Sequence, residues 1–389
     1  MKNKVIRLLV LVNMVMLIGC SSVENETKSD IGISSSEDSI SINSNDEIKD
    51  DDETLSDNAI SNNQSEENST DNIEISFNEL EQKTIDSLTT VKEGIYVLDC
   101  YSDYKVDEYL KANISDVDKF DEWMAENLTY GVSTSDKTKM GCSSFSVNGP
   151  MGSHLFGRNY ELDGGDSMIV RIYPKDGYAS IGIADLNHLN LTHVDHGSKG
   201  DYNINNDESK PLLLAAPWCV CDGINEKGLG VSLLSLFDEH EVNDTDKDNL
   251  LIYSALRVVL DKCASVDEAV DLLNNYDMYS PSRHSYHMFI TDKSGKSVTV
   301  EWAEGQTFVM EDTAVANFWL YKERISLDGD QRYTKLHNGI DNVEFMTKEE
   351  AMDLLKLVTR GNRWSAVYDL DNFSVDICFN NDFENIYSY

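Results

Sequence analysis

The chain has 389 residues and carries 70 Asp and Glu against 32 Lys and Arg, so its formal net charge is −38 at pH 7. A chain this acidic repels the phosphate backbone of nucleic acids, and we expect no nucleic-acid partner. Much of the acidic excess falls before residue 76, so it need not describe the globular part of the chain.

Residues 1–20 have the order of an export signal, with a basic start followed by an apolar run at residues 5–18 that is too short to span a membrane. The run ends in Leu-Ile-Gly-Cys at Cys20, which resembles a bacterial lipobox. We therefore expect lipidation of Cys20 and a lipid anchor on the outer face of the bacterial cell membrane. The alternative is a plain signal peptide with an unmodified cysteine.

Residues 21–75 consist mainly of Ser, Asn, Asp and Glu, with almost no aromatic residue. Such a composition buries too little apolar surface to offset the entropy of ordering, so the sequence predicts a disordered acidic tether. About 310 residues remain for the globular part of the chain.

The segment 76–141 looks like folded protein rather than a spacer. Apolar residues at helical spacing predict a helix within 77–92, and Ile95 to Leu98 predict a buried strand. A second helix is expected from Ser115 through Leu128.

The part from Cys142 to the end, 142–389, alternates between strand pairs and helices, which predicts an α+β layered protein. Strands are expected at 168–173, 178–184, 229–236, 286–291 and 297–302 and in a final hairpin at 364–379, and helices at 250–263, 266–276 and 347–359. We interpret Asn225, in Asn225-Glu226-Lys227-Gly228, as a turn residue.

Cys142 and Arg158 lie on two short segments joined by the turn residues 148–152. Folding the stretch about that turn places Arg158 opposite Cys142, where cross-strand Cβ atoms are about 5 Å apart. A guanidinium there favours the thiolate and so lowers the thiol pKa. The sequence therefore predicts an activated nucleophile, and the alternative is an ordinary half-buried cysteine beside a solvated arginine.

Period-two alternation divides this hairpin into two faces. Phe145, Val147 and Leu155 fall on a packing face, while Cys142 and Arg158 fall on the other. His154 falls on the second face too and is a minor candidate for a proton shuttle.

The sequences Gly-Cys-Ser-Ser-Phe at 141–145, Phe-Gly-Arg-Asn-Tyr at 156–160 and Asn-Glu-Lys-Gly-Leu-Gly at 225–230 together resemble the linear amide C–N hydrolases of the choloylglycine hydrolase and penicillin acylase group. These are N-terminal-nucleophile enzymes. The resemblance implies a four-layer αββα sandwich and hydrolysis of an amide bond in a small N-acyl compound.

The resemblance also implies a role for each matching residue. Cys142, freed at its amino group by cleavage after Gly141, would be both nucleophile and base. Arg158 would be the arginine beside the nucleophile, and Arg332 a second arginine near the pocket. Asn317 would donate to the oxyanion. Glu161 stands at a position usually occupied by Asp, and Asp163 could take its place.

We expect an apolar pocket around Trp218, Met168 and Phe318, with a substrate carboxylate at its rim. Bile salt hydrolases carry an asparagine where this chain has Ser235, so conjugated bile salts are expected to be poor substrates. Two other functions remain open: acyl transfer to an acceptor other than water, and a catalytically inactive surface lipoprotein that binds a partner.

No cofactor is expected. His188, His193 and His196 together with Cys219 and Cys221 match no strong metal-binding spacing, so we expect no metal site. The sequence makes no prediction of oligomeric state.

Overall fold

The computed structural model describes residues 75–134, 141–162, 164–194, 200–239, 245–280, 284–322 and 330–389. All of them belong to one compact unit that spans residues 71–389. The predictions for residues 1–20, including Cys20, and for nearly all of 21–75 lie outside the described residues. Among those residues, no helix is long and apolar enough to cross a membrane.

Seven α-helices are described in these ranges: α1 (Glu79–Asp86), α2 (Val106–Ala112), α3 (Val117–Asn127), α4 (Ile252–Lys262), α5 (Val266–Leu273), α6 (Gln331–Ile340) and α7 (Lys348–Val358). Polar side chains fix several of their starts. The Thr347 hydroxyl accepts a hydrogen bond from Glu350 N while the Glu350 carboxylate accepts from Thr347 N, which is the predicted capping box.

The strands are β1 (Thr89–Lys92), β2 (Ile95–Cys100), β3 (Gly141–Asn148), β4 (His154–Glu161), β5 (Ser167–Ile172), β6 (Ser180–Asp185), β7 (Leu191–Thr192), β8 (Tyr202–Asn203), β9 (Val220–Asn225), β10 (Leu229–Glu239), β11 (Asp248–Leu251), β12 (Tyr276–Tyr279), β13 (His284–Asp292), β14 (Ser297–Ala303), β15 (Gln306–Glu311), β16 (Ala314–Ala316), β17 (Trp364–Asp369), β18 (Ser374–Phe379) and β19 (Ile386–Ser388). A long 3₁₀ segment, Asp207–Cys219, leads into β9.

Two large sheets organise the unit. One has the strand order β1-β2-β5-β6-β9-β10-β13-β14-β15, and the other has the order β16-β3-β4-β17-β18-β19. Strand β2 runs parallel to β5, whereas the other neighbours within both sheets are antiparallel. Because β1 and β2 precede Cys142 in the chain, the upstream segment forms one edge of the larger sheet.

The buried apolar side chains form three layers of packing. One cluster fills the space between the sheets, with members such as Ile169, Phe289, Phe156 and Tyr368. A second lies between the nine-stranded sheet and helices that include α4 and α5, and a third lies between the six-stranded sheet and helices α6 and α7. The order helix, sheet, sheet, helix confirms the predicted αββα sandwich.

The helix predicted within 77–92 is wrong in extent. Helix α1 ends at Asp86, and the following residues form β1. The β-branched run Thr89-Thr90-Val91 favours an extended backbone, and pairing with β2 satisfies its hydrogen bonds. Leu88 and Val91 therefore do not belong to a helical stripe.

Candidate active site

Strands β3 and β4 form the predicted hairpin, but its register differs from the prediction by two residues. Cys142 pairs with Tyr160, and Arg158 pairs with Ser144. The turn keeps the expected length but lies one residue further along the chain, at 149–153, because Asn148 pairs with His154 and Gly149 N donates to Ser153 O. A shift of two residues preserves the faces, so Arg158 still lies on the same face as Cys142.

The two faces of the hairpin behave as predicted. Phe145, Val147 and Leu155 are buried with helices α6 and α7. The other face is turned toward the nine-stranded sheet, where Ser144 Oγ lies 2.9 Å from Ser232 Oγ. Cys142 is therefore placed between the two sheets, and it is fully buried.

Arg158 is fully buried and is held by the larger sheet. Its Nε donates to Asp222 Oδ2 at 3.3 Å, and its Nη2 donates to the carbonyl oxygen of Leu233 at 2.7 Å. The Asp222 carboxylate also accepts from Trp364 Nε1 at 3.0 Å and from the Tyr368 hydroxyl. These bonds satisfy most of the polar groups of a buried ion pair, as burial of charge requires.

Asp222 was not among the predicted site residues. It lies 64 residues after Arg158, so no local spacing links the two. The one feature of the sequence that indicates its role is a single carboxylate within the otherwise apolar run Val220-Cys221-Asp222-Gly223-Ile224. A buried charge in such a run requires a partner.

The Cys142 thiol is protonated at neutral pH in the intact chain, because burial raises its pKa to about 11. The charges of Arg158 and Arg332 act in the opposite direction, while Glu161 raises the pKa further. Arg158 therefore lowers the thiol pKa, as expected. The expectation that the thiol pKa is lowered overall is wrong for the intact chain, because the effect of desolvation is larger.

Arg332, near the start of α6, joins the groups around Cys142. Its Nη1 donates to the Cys142 carbonyl oxygen at 3.0 Å and to Glu161 Oε2 at 2.6 Å. Its Nη2 donates to Asn317 Oδ1 at 2.9 Å, and Asp330 accepts from both Nε and Nη2. One guanidinium therefore fixes the relative positions of three predicted site residues.

Asn317 immediately follows β16, which pairs with β3, and this pairing brings the amide to the nucleophile. Its Oδ1 accepts from Cys142 N at 2.7 Å, and its Nδ2 donates to the Ser235 carbonyl oxygen at 2.6 Å. In the intact chain the side-chain oxygen, and not the amide donor, thus faces Cys142. Ser235 contacts the site through its backbone.

Glu161 pairs directly across from Gly141, so its carboxylate lies beside the peptide bond that precedes Cys142. A Cβ on Gly141 would lie 2.8 Å from Glu161 Oε2, so only glycine fits there without displacement. Glu161 Oε1 is buried without a hydrogen-bond partner, and burial raises the pKa of this carboxyl. Asp163, its predicted substitute, lies outside the described residues.

The three predicted pocket residues have different surroundings. Trp218 is buried and lines a small cavity beside α3. Phe318 is half-buried and packs edge-on against Tyr333, with ring centroids 5.1 Å apart. Met168 belongs to the core on the outer side of the nine-stranded sheet, because its side chain points away from Cys142. The structure therefore does not bring Met168 to the thiol.

The histidines do not join Cys142. His154 pairs with Asn148 at the far end of the hairpin, six positions along the strand from the nucleophile. At about 3.4 Å per residue this distance rules out direct proton transfer. His193 bonds Asp166 Oδ1 at 2.7 Å, and His196 lies outside the described residues. Over the described ranges, no group of three or more His, Cys, Asp or Glu is arranged to hold a metal ion.

Asn225 shapes its turn as predicted. Its Oδ1 accepts from Lys227 N and Leu229 N, both at 3.1 Å, while its Nδ2 donates to two carbonyl oxygens at the end of α4. The residue thus connects the turn before β10 to the helix layer.

Comparison with protein families agrees with the motif-based resemblance. Residues 142–317 match the model of linear amide C–N hydrolases, choloylglycine hydrolase family. A bile salt hydrolase/transferase from Clostridium perfringens is 23% identical over 180 residues, which cover 44% of this chain and 51% of that protein. The chain thus aligns with about half the length of this curated relative.

Solved structures were also compared with the chain. A mutant of the conjugated bile acid hydrolase from Clostridium perfringens aligns with a TM-score of 0.48 and 16% identity, over 64% of this chain and 92% of that one. A penicillin V acylase from Agrobacterium tumefaciens aligns with a TM-score of 0.44 and 16% identity, over 61% of this chain and 83% of that one.

Proposed function

We propose that this protein hydrolyses an amide bond in a small N-acyl compound through an acyl-enzyme on Cys142. The proposal is supported by the match of residues 142–317 to the model of linear amide C–N hydrolases, choloylglycine hydrolase family. The observation that carries the proposal is the convergence on one cysteine of two buried arginines and an asparagine. Arg158 lies on the same strand face, and Arg332 and Asn317 bond the backbone of Cys142 itself.

The proposed reaction has two steps, each easier than direct attack of water on an amide. First, Cys142 Sγ bonds to the carbonyl carbon, the C–N bond breaks, and a proton passes to the departing nitrogen to give an amine. Second, water attacks the thioester, the C–S bond breaks, and the products are a carboxylic acid and the regenerated thiol.

We propose that the intact chain is a precursor that becomes active by hydrolysis of the peptide bond between Gly141 and Cys142. One water is consumed, Gly141 gains a carboxylate and Cys142 gains a free α-amine. An α-amine titrates near pH 8, close enough to neutrality to exchange protons with the thiol. The protonated thiol of the intact chain, with a pKa of about 11, is consistent with a precursor that waits for this base.

In this proposal Asn317 and Glu161 orient the new amine. Asn317 Oδ1 already accepts a hydrogen bond from Cys142 N, and an ammonium or amine retains that donor. Glu161 Oε1 is buried beside Gly141 without a hydrogen-bond partner. A cationic or hydrogen-bonding amine released at this point would satisfy it.

The substrate carbonyl oxygen becomes negatively charged during attack and needs donors. Asn317 Nδ2 has a second N–H besides the one that bonds Ser235 O, so it remains a candidate donor. The loss of one such donor costs roughly 3 kcal/mol in other acyl-transfer enzymes.

Acyl transfer to an acceptor other than water is the second candidate function. It is supported by the similarity to the Clostridium perfringens protein, which is a bile salt hydrolase/transferase. The two reactions share the acyl-enzyme, and they differ only in whether water or an amine resolves the thioester.

We also propose that the protein is exported and anchored to the outer face of the bacterial cell membrane through a lipid on Cys20. The support is the sequence alone, which runs from a basic start through a short apolar stretch to Leu-Ile-Gly-Cys. Metabolic labelling with a lipid precursor should mark the protein and should fail to mark the Cys20→Ala variant.

A screen of amides tests the catalytic proposal. The panel contains N-acyl amino acids, penicillin V, conjugated bile salts and N-acyl homoserine lactones, offered to the wild type, to Cys142→Ala and to Cys378→Ala. Cys378 is a buried cysteine in the core beside α7, so its variant controls for the loss of a thiol. We expect turnover of at least one amide that only Cys142→Ala abolishes. A wild type that binds but turns over none of them would favour an inactive binding protein.

A further inference from the structure

A small cavity lies beside the candidate site, on the outer side of the nine-stranded sheet. Its volume is about 30 Å³. One wall is formed by Val117, Phe120, Asp121 and Met124, all on helix α3, and the opposite wall by residues at the start of β9 together with Leu233 of β10. Helix α3 precedes Cys142 in the chain and lies outside the segment that matches the hydrolase family.

The sheet is incompletely paired between the cavity and the candidate site. Strands β9 and β10 are paired only from Asp222 with Ser232 to Ile224 with Gly230. No further pair joins the two strands beyond Ser232, and β9 has a register shift against β6 at Cys221. The carbonyl oxygen of Leu233, left without a partner from β9, accepts instead from Arg158 Nη2.

Two residues thus contact both the cavity and the candidate site. Leu233 and Cys221 line the cavity. Leu233 bonds Arg158 directly, and Cys221 packs in the same inter-sheet cluster as Cys142. A β-bulge of this kind beside a site opens the sheet and redirects a side chain.

The cavity is apolar because its polar lining groups are already engaged. Asp121 Oδ1 accepts from the Thr134 hydroxyl at 2.7 Å, and the Tyr253 hydroxyl lies 2.6 Å from that of Tyr286. The His188 ring packs against the Tyr253 ring at a centroid distance of 5.7 Å. What remains facing the space is mainly aliphatic and aromatic carbon, which favours an apolar guest.

Helix α3 is held in place by an aromatic cluster. Trp218 packs against Tyr109, Phe120 and Trp123 with centroid distances of 4.7, 5.8 and 5.7 Å. Its indole Nε1 also donates to the Tyr104 carbonyl oxygen at 2.8 Å. The residue that the sequence singled out for the pocket is therefore fixed by rings of the upstream segment.

We propose that this cavity receives the apolar end of the substrate's acyl group and that α3 is its outer wall, so the segment upstream of the nucleophile selects the substrate. The inference rests on the proposed function. A space of this size would hold about two water molecules, since one needs about 10–15 Å³. It fits the end of a slender straight acyl chain, whereas a steroid ring system does not fit.

Binding without turnover tests the inference. Straight-chain N-acylglycines from acetyl to decanoyl are titrated calorimetrically into the full chain carrying Cys142→Ala. Affinity should rise about fourfold with each added methylene until the cavity is filled, and should then fall. A glycine-conjugated bile acid should bind more weakly than the best straight chain.

Substitutions in the cavity wall test whether the cavity sets the preferred acyl-chain length. In the same background, Val117→Phe narrows the half-buried mouth and should move the optimum to shorter chains, while Met124→Ala enlarges the interior and should move it to longer ones. Glu122→Phe places the same ring on an exposed position of α3 and should leave the optimum unchanged. Thermal unfolding of each variant checks that the fold is retained.

Several results would overturn the inference: an affinity independent of chain length, tight binding of the bile conjugate, or folded cavity variants with an unchanged optimum. Turnover of the same amides by the protein with Cys142 in place is measured in parallel. Chain-length-dependent binding without turnover would refute hydrolysis and leave the cavity assignment standing. Turnover that is indifferent to chain length would refute the cavity assignment and leave hydrolysis standing.

Discussion

Arg158 and Asp222 form an ion pair whose two side chains are both fully buried, with Nε 3.3 Å from Oδ2. The pair joins the two sheets, because Arg158 lies on β4 of one sheet and Asp222 on β9 of the other. It therefore fixes the only guanidinium that shares a strand face with Cys142 in the described hairpin.

Removing one partner of this pair should be strongly destabilising. Asp222→Ala leaves the Arg158 charge buried without its carboxylate, and we expect a loss of about 3–5 kcal/mol in the free energy of unfolding. Urea denaturation measures it. Asp99→Ala is the matched control, because it breaks the partly exposed pair with Arg171 and should cost about 1 kcal/mol or less. Equal losses in the two variants would contradict the structural role of Asp222.

Arg158→Met should raise the thiol pKa of Cys142. The guanidinium lowers that pKa in the intact protein, so its removal favours the protonated thiol and the alkylation profile should move to higher pH. The rate of iodoacetamide labelling at Cys142 against pH, followed by peptide mapping, measures the shift. Arg171→Met, which removes a distant cation, should leave the profile in place. An unmoved profile for Arg158→Met would count against the pairing.

Glu161→Gln should slow turnover while largely preserving the fold. The carboxylate accepts from Arg332 at 2.6 Å and lies beside Gly141, so its loss weakens a charge-assisted hydrogen bond worth about 1.5–3 kcal/mol. We expect kcat to fall roughly 10- to 100-fold. The exposed Glu349→Gln serves as the control. If kcat and cleavage after Gly141 were both unchanged in Glu161→Gln, a functional role for Glu161 would be contradicted.

Cleavage after Gly141 should leave the upstream fragment bound. Strand β2 pairs with β5, and Trp123 packs against Trp218. Intact-mass analysis under denaturing conditions should give two chains, which should elute together in native size-exclusion chromatography. A single full-length mature chain with full activity would refute the cleavage and require another base.

The sequence predicted the faces of the hairpin but not its register. Alternation of Cys142 and Phe145 across the strand is a local pattern, and a shift of two residues leaves it intact. The register depended on which residues form the turn. The turn lies at 149–153, closed by the hydrogen bond from Gly149 N to Ser153 O, and no residue type in it indicated that position.

The partners of Arg158 and Cys142 could not be predicted locally. Asp222, Leu233 and Asn317 come from distant strands and reach the hairpin through sheet topology. Family resemblance supplied Asn317 and Arg332, but the acidic partner of Arg158 has no counterpart in the motifs that carried the resemblance. Burial also reversed the predicted net pKa shift of the thiol, since desolvation depends on packing that a sequence pattern does not measure.

Trapping the acyl-enzyme tests the central claim most directly. The protein is mixed with the best amide substrate of the screen, quenched in acid within the first turnovers, digested and analysed by mass spectrometry. The account predicts the mass of the acyl group on a peptide that begins at Cys142, and no such adduct on the other cysteines or in Cys142→Ala. Turnover that leaves Cys142 unmodified, or that persists in Cys142→Ala at more than a few per cent of the wild-type rate, would contradict it.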